Sequence, residues 1–406
     1  MTQKSVIIVG AGHAGYQVAA SLRQHGFAER ICLINDEAHL PYQRPPLSKA
    51  YLKGEGKPDS LMFRPEKFYH DQKIELIADR AAFIDRAAHR VVLASGTFLD
   101  YGHLVLATGA RNRLLDLPNA TLADVRYLRI LDESEALRQR IGIARHVAVI
   151  GAGFIGLEFA ATARAKGLEV DVIELGSRVM ARAVTAEISD FFQARHTSAG
   201  IRIHLGVQAT SIESAGDKVV GLSLSDGRRI PADLIVVGVG VLPNVEIAAE
   251  AGLPVASGII VDAHLLTVDP NISAIGDCAL FESPRFGGSL RLESVQNATD
   301  QARCVAARLT GDDKAYDGLP WFWSDQGDDK LQIAGLTTGY DQVIVRGDRE
   351  ARSFSAFCYK QRQLVGIESV NRAADHVFGR KILGMSRSIE PEKAADPGFD
   401  LKAALA

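Results

Sequence analysis

Two stretches of the chain decide its fold: Val6-Ile-Ile-Val-Gly-Ala-Gly-His-Ala-Gly15 and Val147-Ala-Val-Ile-Gly-Ala-Gly-Phe-Ile-Gly156. They align without a gap, 141 residues apart. Each predicts a buried strand, a glycine turn and a helix, followed by a second apolar strand at Ile31 to Ile34 or at Val170 to Ile173. A lone GxGxxG is weak evidence, but two copies in full β-α-β context predict two dinucleotide-binding domains.

The glycines of each turn have separate tasks. The first permits the tight turn, the second lets the backbone approach a pyrophosphate, and the third lets the helix pack closely on the strand. The helix N-terminus then offers unpaired N–H groups and a positive dipole end to the phosphates. The six glycines are Gly10, Gly12, Gly15, Gly151, Gly153 and Gly156.

An acidic residue that closes the second strand is expected to bind an adenosine ribose. Glu174 stands there in the second copy, and its charge would repel a 2′-phosphate, which favours NADH over NADPH. Arg178, four residues on, is an arginine of the kind that can serve a 2′-phosphate, and we weigh it less than Glu174. In the first copy Asn35 is in register with Glu174, and Asp36, the next residue, is the predicted ribose ligand.

Three further strand ends carry small or acidic residues. They are Leu104-Val-Leu-Ala-Thr-Gly109, Ile235-Val-Val-Gly-Val-Gly-Val-Leu-Pro243 and Ile272-Ser-Ala-Ile-Gly-Asp277. Open α/β sheets bind ligands at the carboxyl edge of their strands, so we expect these segments at the dinucleotides. Asp277 is the predicted contact to the ribityl chain of FAD.

Composition narrows the function classes. The 406 residues carry 46 Lys plus Arg and 49 Asp plus Glu, a net charge of −3, which gives no global field for nucleic acid or an anionic membrane. The longest aliphatic stretches are about half of a bilayer span. The four cysteines, which form no CxxC pair, indicate a reducing, cytoplasmic compartment and no cysteine-based metal site; they are Cys32, Cys278, Cys304 and Cys358. We expect no metal.

Over essentially its whole length the chain resembles the FAD-dependent, NADH-dependent ferredoxin reductases that serve bacterial haem-thiolate monooxygenases and ring-hydroxylating dioxygenases. The motifs that carry this resemblance are Arg44-Pro-Pro-Leu-Ser-Lys49, Ala107-Thr-Gly109, Gly153-Phe-Ile-Gly-Leu-Glu158, Gly276-Asp277, Glu293-Ser-Val-Gln-Asn297 and Trp321-Phe-Trp-Ser-Asp-Gln326.

The resemblance implies an α/β fold of the glutathione-reductase-like flavoprotein type, with two Rossmann-like dinucleotide-binding domains and a C-terminal α+β domain. The expected domains are FAD-binding at 1–113 and 241–320, NADH-binding at 114–240, and C-terminal at 321–406. Alternating residues at Gln342 to Arg346 and Phe354 to Tyr359 predict antiparallel strands in the last domain, and Ala373 to Leu383 predicts a helix.

The resemblance also assigns roles. Lys49, expected on the first helical turn after two prolines, would sit beside the flavin and pair with Glu158, both being catalytic. Trp323 would cover the flavin on the side of the iron-sulfur partner and is also assigned as catalytic. A helix from Gln296 to Leu309 would aim its N-terminus at the flavin.

The full residue sets follow from the motifs and the resemblance together. Those expected at FAD are Gly10, Gly12, His13, Ala14, Gly15, Asp36, Arg44, Pro45, Lys49, Ala81, Ala107, Thr108, Gly109, Arg129, Gly276, Asp277, Ser294, Val295 and Trp323. Those expected at NADH are Gly151, Gly153, Phe154, Ile155, Gly156, Glu158, Glu174, Arg182, Gly238, Val239 and Gly240.

The implied reaction is hydride transfer from NADH to FAD, followed by single-electron transfers to a 2Fe–2S ferredoxin, in a monomeric protein. Disulfide reductases of the same fold carry a cysteine pair soon after the first turn; here Pro45, Pro46 and Leu47 stand there and Cys32 has no neighbour, which excludes a thiol relay. Two alternatives remain open. One is a related reductase acting on rubredoxin, monodehydroascorbate or dioxygen; the other is an NADH-responsive binding protein like apoptosis-inducing factor.

Overall fold

The structure is a computed structural model that describes residues 5–405. In chain order its strands are β1 (Val6–Val9), β2 (Ile31–Asn35), β3 (Ile74–Ala78), β4 (Ala81–Asp85), β5 (Arg90–Leu93), β6 (Phe98–Asp100), β7 (His103–Leu106), β8 (Ala110–Asn112), β9 (Val125–Arg126), β10 (His146–Ile150), β11 (Glu169–Glu174), β12 (Arg202–Leu205), β13 (Ala209–Ala215), β14 (Lys218–Leu224), β15 (Arg229–Pro231), β16 (Leu234–Val237), β17 (Val241–Pro243), β18 (Ile259–Val261), β19 (Ile272–Ala274), β20 (Ala279–Glu282), β21 (Ser289–Leu290), β22 (Trp321–Gln326), β23 (Asp329–Gly335), β24 (Gln342–Asp348), β25 (Ser353–Lys360) and β26 (Gln363–Val370).

The helices connect these strands. The α-helices are α1 (His13–Gln24), α2 (Ala50–Lys53), α3 (Glu66–Asp71), α4 (Leu131–Ile141), α5 (Phe154–Ala165), α6 (Ala186–Ser198), α7 (Glu246–Glu250), α8 (Val295–Leu309), α9 (Ala373–Gly384) and α10 (Pro391–Ala395). Short 3-10 helices occupy Pro45–Ser48, Pro58–Leu61, Gly276–Cys278 and Leu401–Leu405.

The described chain divides into two compact units, each built from several segments. The first unit comprises residues 5–44, 58–111 and 241–318, and the second comprises 45–57, 112–240 and 319–405.

A five-stranded parallel sheet in the order β19-β7-β1-β2-β3 forms the centre of the first unit. All four residues of β1 are buried, as is typical of a parallel strand that is covered on both faces. α1 and α8 pack against each other, and the apolar core includes Val18 and Leu22 of α1. Two small sheets, β4-β5-β6 and β18-β20-β21, complete the unit.

The second unit contains a matching parallel sheet in the order β12-β11-β10-β16-β9. A three-stranded antiparallel sheet, β13-β14-β15, is inserted in the chain between β12 and β16. The C-terminal residues form a five-stranded antiparallel sheet, β22-β23-β26-β25-β24, on which α9 packs. The predicted fold class is therefore confirmed.

The individual elements follow the sequence predictions closely. Each second strand is slightly longer than expected, since β2 extends to Asn35 and β11 spans Glu169–Glu174. α8 begins one residue early, at Val295, because the Ser294 hydroxyl caps it by accepting a hydrogen bond from the N–H of Asn297 at 3.1 Å.

The prediction for Lys49 is wrong in its local geometry. Pro45–Ser48 form a 3-10 helix, closed by the N–H of Lys49 donating to the Pro46 carbonyl at 3.0 Å. Lys49 has φ −123° and ψ −114°, which are not helical angles, and it precedes α2 as its N-cap. Two adjacent prolines lack backbone N–H donors, and the segment closes a 3-10 turn in place of a first α-helical turn.

Candidate functional site

The first glycine of each turn is fixed by close backbone contact. Gly10 has φ +101° and Gly151 has φ +104°, a region that other residues rarely adopt. A Cβ on Gly10 would lie 2.3 Å from the carbonyl oxygen of Ala107, and one on Gly151 would lie 2.4 Å from that of Gly238. Both positions therefore exclude any side chain.

The second glycine of each turn faces open space. A Cβ on Gly12 or Gly153 would meet no atom within 4 Å, whereas one on the third glycine would lie 1.8 Å (Gly15) or 2.2 Å (Gly156) from the carbonyl oxygen of the first. Helices α1 and α5 begin directly after the second glycine. A turn that is open at this point and backed by a helix N-terminus fits a dinucleotide pyrophosphate in both copies.

Most of the FAD set lies at the carboxyl edge of the first parallel sheet. These residues are Gly10–Gly15 after β1, Asp36 after β2, Ala81 three residues after β3, Ala107–Gly109 after β7 and Gly276–Asp277 after β19. A Cβ on Gly276 would lie 3.3 Å from that of Ala14, so the two distant segments meet.

Arg44 is held by the carboxylate of Glu37, which was not predicted from the sequence. Its guanidinium lies 2.5 Å from Oε1 of Glu37, and the Tyr42 hydroxyl donates to the other oxygen of the same carboxylate. Asp36, the exposed neighbour of Glu37, remains the predicted ribose ligand.

The N-terminus of α8 carries Ser294 and Val295, both predicted at FAD. A helix of 15 residues places a positive dipole end at these two positions. Gln301, fully buried in the same helix, accepts a hydrogen bond from the N–H of Gly276 at 2.7 Å and so fixes the turn that carries Asp277. Gln301 was not predicted, because a polar residue inside a helix carries no signal of a contact 25 residues away.

Glu174 closes β11 and holds the second glycine turn. Its Oε2 accepts the N–H of Ala152 at 2.8 Å, and its Oε1 accepts the N–H of Gly176 at 2.7 Å. A carboxylate has about four acceptor sites, so two remain for ribose hydroxyls. Arg178 donates to the carbonyls of Ala181 and Val184. Arg178 is thus bonded to the backbone, and the choice of NADH over NADPH stays a prediction.

Two other members of the NADH set also meet. Gly238–Gly240 follow β16 at the carboxyl edge of the second parallel sheet. A Cβ on Gly240 would lie 3.7 Å from the guanidinium of Arg182, which belongs to the segment after β11. Phe154 and Ile155 form the first turn of α5, where Ile155 is 45% exposed.

Lys49 and Glu158 form the expected ion pair. Nζ of Lys49 lies 2.9 Å from Oε1 of Glu158, whose side chain is 2% exposed. The hydroxyl of Ser48 donates to Oε2 at 2.6 Å, and the hydroxyl of Ser324 donates to Oε1 at 2.6 Å. Three donors therefore hold one buried carboxylate, as a buried charge requires.

A chain of buried side chains continues from this pair. The amide Nε2 of Gln326 donates to the Ser324 oxygen at 3.4 Å and to the Met180 sulfur at 3.2 Å, and its Oε1 lies 2.7 Å from Nε2 of His196. Burial lowers the pKa of His196, so the ring is neutral and its Nε2–H donates to Gln326. The bonds from His196 through Gln326 and Ser324 thus run in one direction, towards Glu158, while Gln326 also donates to Met180.

Ser324 and Gln326 share strand β22 with Trp323. Side chains alternate along β22, so Trp323 lies on one face of the C-terminal sheet and Ser324 and Gln326 lie on the other. Trp323 is half-buried, and its ring centroid is 5.6 Å from that of Trp321. The alternation of side chains along the strand predicts that Ser324 lies on the face opposite Trp323. Nothing in the sequence predicts its contact with Glu158, 166 residues away.

The remaining two members of the FAD set lie in the second unit with Lys49 and Trp323. Pro45 starts the 3-10 helix, and the N–H of Arg129 donates to the Glu133 carboxylate at 2.6 Å, near the start of α4. Their contact with FAD stays a prediction.

Three properties of the described residues bear on the type of chemistry. Each of the four cysteines is free. Residues 5–405 contain no cluster of three or more His, Cys, Asp or Glu able to hold a metal ion. No helix in that range has the length and apolar character needed to cross a membrane.

Comparison with known proteins gives matches over the whole chain. Residues 4–302 match the pyridine nucleotide-disulphide oxidoreductase family, and residues 321–405 match the reductase C-terminal family. Rhodocoxin reductase of Rhodococcus erythropolis is 50% identical over 403 residues, covering 99% of this chain and 94% of that protein.

Two solved structures have the same fold. The ferredoxin reductase for the CYP199A2 system from Rhodopseudomonas palustris is 72% identical, with a TM-score of 0.98 and coverage of 99% of this chain and 100% of that one. The reductase in the covalent putidaredoxin reductase–putidaredoxin complex is 38% identical, with a TM-score of 0.97 and coverage of 100% and 99%.

The cofactors of this protein are FAD and NAD(H), which agrees with the two open glycine turns. The family name refers to disulfide chemistry, but the stretch after the first turn holds two prolines and a leucine in place of a cysteine pair. By its sequence match over most of its length and by its two dinucleotide-binding turns, the chain belongs to the pyridine nucleotide-disulphide oxidoreductase family.

Proposed function

We propose that this protein is an NADH-dependent ferredoxin reductase, which passes single electrons to a 2Fe–2S ferredoxin of a haem-thiolate monooxygenase or a ring-hydroxylating dioxygenase. The observation that carries the proposal is a buried Lys49–Glu158 pair in a two-dinucleotide protein whose cysteines are all free. Without a thiol pair, electrons have to leave the flavin directly for the acceptor. The 72% identical relative is named as the ferredoxin reductase of a CYP system.

Bound FAD supplies the conversion between an electron pair and single electrons, because NADH gives electrons in pairs and an iron-sulfur cluster accepts them singly. The chain contributes orientation and charge. Lys49 provides a cation that Glu158, Ser48 and Ser324 hold in one place. The N-terminus of α8 provides a positive dipole end. We assign Trp323 to the acceptor side, where an aromatic side chain excludes water.

The test is stopped-flow reduction of the holoenzyme by NADH and by NADPH, followed by reoxidation with the ferredoxins of the same organism. We expect NADH to bleach the flavin rapidly, NADPH to do so much more slowly, and cytochrome c reduction to depend on added ferredoxin. Equal rates with NADPH would contradict the role given to Glu174. Fast turnover with rubredoxin, monodehydroascorbate or dioxygen, and none with ferredoxin, would favour the alternative acceptors.

A pair of lysine variants tests the role of the ion pair. Lys49→Met is expected to slow flavin reduction by at least about tenfold, which corresponds to losing about 1.4 kcal/mol of transition-state stabilisation. Lys166→Met is the matched control, because Lys166 is exposed and its Nζ donates only to the carbonyl of Lys53 at 2.9 Å. Equal rates of flavin reduction in the two variants would show that Lys49 has no part in this step.

The second candidate function is an NADH-responsive binding protein. It predicts slow flavin reduction and a long-lived charge-transfer complex with NADH. Rapid bleaching followed by ferredoxin-dependent cytochrome c reduction would reject it.

We assign the enzyme to the cytoplasm and to a monomeric state. The four free cysteines support the first assignment, because such thiols persist in a reducing compartment. Fractionation of cells and gel filtration of the holoenzyme test the two assignments.

A further inference from the structure

Glu368 is a fully buried carboxyl group of the C-terminal sheet, on β26. Its two oxygens lie 3.1 and 3.0 Å from the backbone nitrogen of Thr185, and the Thr185 hydroxyl donates to Oε2 at 2.7 Å. Thr185 is itself fully buried and is the N-cap residue of α6. A carboxylate from one sheet thus binds the start of a helix that is 183 residues away in the chain.

The segment that ends at Thr185 connects β11 to α6. This 175–185 segment directly follows Glu174 and contains Arg182. Both of these residues are predicted to bind NADH. Its Met180 N–H donates to the carbonyl of Ala152, in the second glycine turn, at 2.9 Å. The segment is therefore bound to the nucleotide turn on one side.

The C-terminal sheet binds the same segment at a second point. The hydroxyl of Thr337 donates to the carbonyl of Ala183 at 3.4 Å, two residues before the contact made by Glu368. The carbonyls of Val184 and Thr185 are taken by Arg178 at 2.9 and 3.3 Å. The end of the segment is thus immobilised by hydrogen bonds to β26, to the chain after β23, and within itself.

Glu368 is buried near a second carboxyl group, that of Glu187. Burial raises the pKa of Glu368 to about 7, and the donors of Thr185 and Thr337 act in the opposite direction. The titratable groups that act on it are Glu187 in the first turn of α6, Cys358 on β25 and Tyr340 in the loop after β23. Arg178 acts on Tyr340.

We propose that Glu368 is a positioning residue for NADH: its contact with Thr185 lets the C-terminal sheet hold the 175–185 segment in the shape that binds the adenosine half of the nucleotide. This inference rests on the proposed NADH site. It gives the C-terminal sheet a part in nucleotide binding in addition to its Trp323 strand.

The carboxylate form of Glu368 accepts every donor that Thr185 offers. The protonated form has one acceptor fewer, so it holds Thr185 more weakly. NADH binding is therefore expected to weaken as the pH falls through about 7, where Glu368 takes up its proton.

The test compares Glu368→Gln with the wild-type holoenzyme. The readouts are kcat and KM for NADH with ferricyanide as acceptor, and the Kd of NAD+ measured by calorimetry between pH 6 and 8.5. We expect KM and Kd to rise by about three- to tenfold at pH 8, the scale of a lost hydrogen bond to a charged group, while kcat changes less than about twofold. The pH dependence of Kd near pH 7 is expected to disappear in the variant.

Two further variants keep the test decisive if Glu368→Gln does not fold. Thr185→Val keeps the backbone N–H but removes the hydroxyl, and it is expected to raise Kd in the same direction. Thr185→Ser keeps both donors and is expected to bind like the wild type. Unchanged Kd in Thr185→Val, or an unchanged pH profile in Glu368→Gln, would overturn the inference.

Asp329→Asn is the matched control. Asp329 is a buried carboxylate at 2% exposure on β23, bonded to Arg195 and Arg352 and not to the 175–185 segment. This variant is expected to lose stability while it keeps the wild-type pH profile of Kd. Failure of the wild type to accept electrons from NADH would reject the proposed function itself, whereas normal wild-type activity with unaffected variants would reject only the role of Glu368.

Discussion

The hydroxyl of Ser324 donates to Oε1 of Glu158 at 2.6 Å, the same oxygen that Lys49 reaches at 2.9 Å. Removing this hydroxyl leaves a carboxylate at 2% exposure with one donor fewer. Ser324→Ala is therefore expected to lower the free energy of unfolding by about 1.5–3 kcal/mol, the range for a hydrogen bond to a charged group, as measured by urea titration.

Ser355→Ala is the control for that change. Ser355 is equally buried, but its hydroxyl donates to the neutral Ser369 at 2.9 Å. The expected loss is about 0.5–1.5 kcal/mol, the range for a neutral pair. Equal losses in the two variants would show that the hydrogen bond from Ser324 to Glu158 is no stronger than one between two neutral groups.

Substitutions at the second and the third glycine of a turn are expected to have different effects, the first on cofactor binding and the other on folding. Gly12→Ala places a methyl group in open space at φ −72°, so the protein is expected to fold and to lose FAD affinity by at least about tenfold, or about 1.4 kcal/mol. Gly15→Ala places a methyl group 1.8 Å from a carbonyl oxygen, so it is expected to impair folding. FAD content after gel filtration and thermal unfolding of the apoprotein distinguish the two effects.

The second turn supplies an internal control for this experiment. Gly153→Ala is expected to retain its FAD while the Kd for NAD+ rises, because the equivalent open space belongs to the other nucleotide. Loss of FAD from Gly153→Ala and retention of FAD by Gly12→Ala would reverse the assignment of the two turns.

Glu174 is expected to contribute both to nucleotide affinity and to nucleotide choice. Glu174→Ala should weaken NAD+ binding by about 1–2 kcal/mol and narrow the preference for NADH over NADPH, since it removes a ribose acceptor and a repulsive charge. Calorimetry and steady-state kinetics with both nucleotides measure these effects.

Glu169→Ala tests whether any acidic residue of β11 would have the same effect. Glu169 lies at the opposite end of the strand and pairs with Arg202 at 2.6 Å on the surface. Its replacement is expected to leave nucleotide affinity unchanged. A comparable loss in both variants would assign the effect to the stability of β11.

His103 makes the stability of the protein depend on pH. Burial, together with the nearby Arg308, lowers the pKa of His103 to about 3, below the ordinary 6.5. The folded state therefore resists protonation, and the stability that His103 contributes above pH 6.5 is lost as the pH falls from 6.5 towards 3. His103→Gln is expected to flatten part of this loss in urea titrations at pH 4 to 7.

His70→Gln is the comparison for that measurement, because the side chain of His70 is 90% exposed. It is expected to follow the wild-type profile. If the free energy of unfolding of His103→Gln fell with pH as steeply as that of the wild type, other buried groups, such as His196 and His376, would account for the pH dependence.

The sequence predicts the fold well because local patterns determine it. The two glycine turns, the apolar strands β1 and β10 and the helices α1 and α5 are each specified within a few residues, and their alignment specifies two similar sheets. The Lys49–Glu158 pair was reached through family resemblance, since nothing local connects residues 109 positions apart.

The parts that escaped prediction are contacts between distant segments. Ser324, Gln326 and His196 extend the Glu158 site, and Glu368 contacts Thr185, yet each is an ordinary polar residue in its own stretch of sequence. The prediction that Lys49 lies on a first α-helical turn was wrong for a local reason, because the segment that begins with two prolines forms a 3-10 turn before α2.

The chain passes between its two units five times, after residues 44, 57, 111, 240 and 318. These repeated crossings limit which segments can be exchanged between related proteins. A chimaera that imports a foreign C-terminal piece from residue 319 onward has to carry the equivalents of Ser324 and Glu368, whose partners come from the host. Likewise, an excised fragment of 112–240 would lack Ser48 and Lys49 and leave Glu158 buried without its cation. Recombination in this family should therefore favour crossover points that keep each of these residues together with its partner.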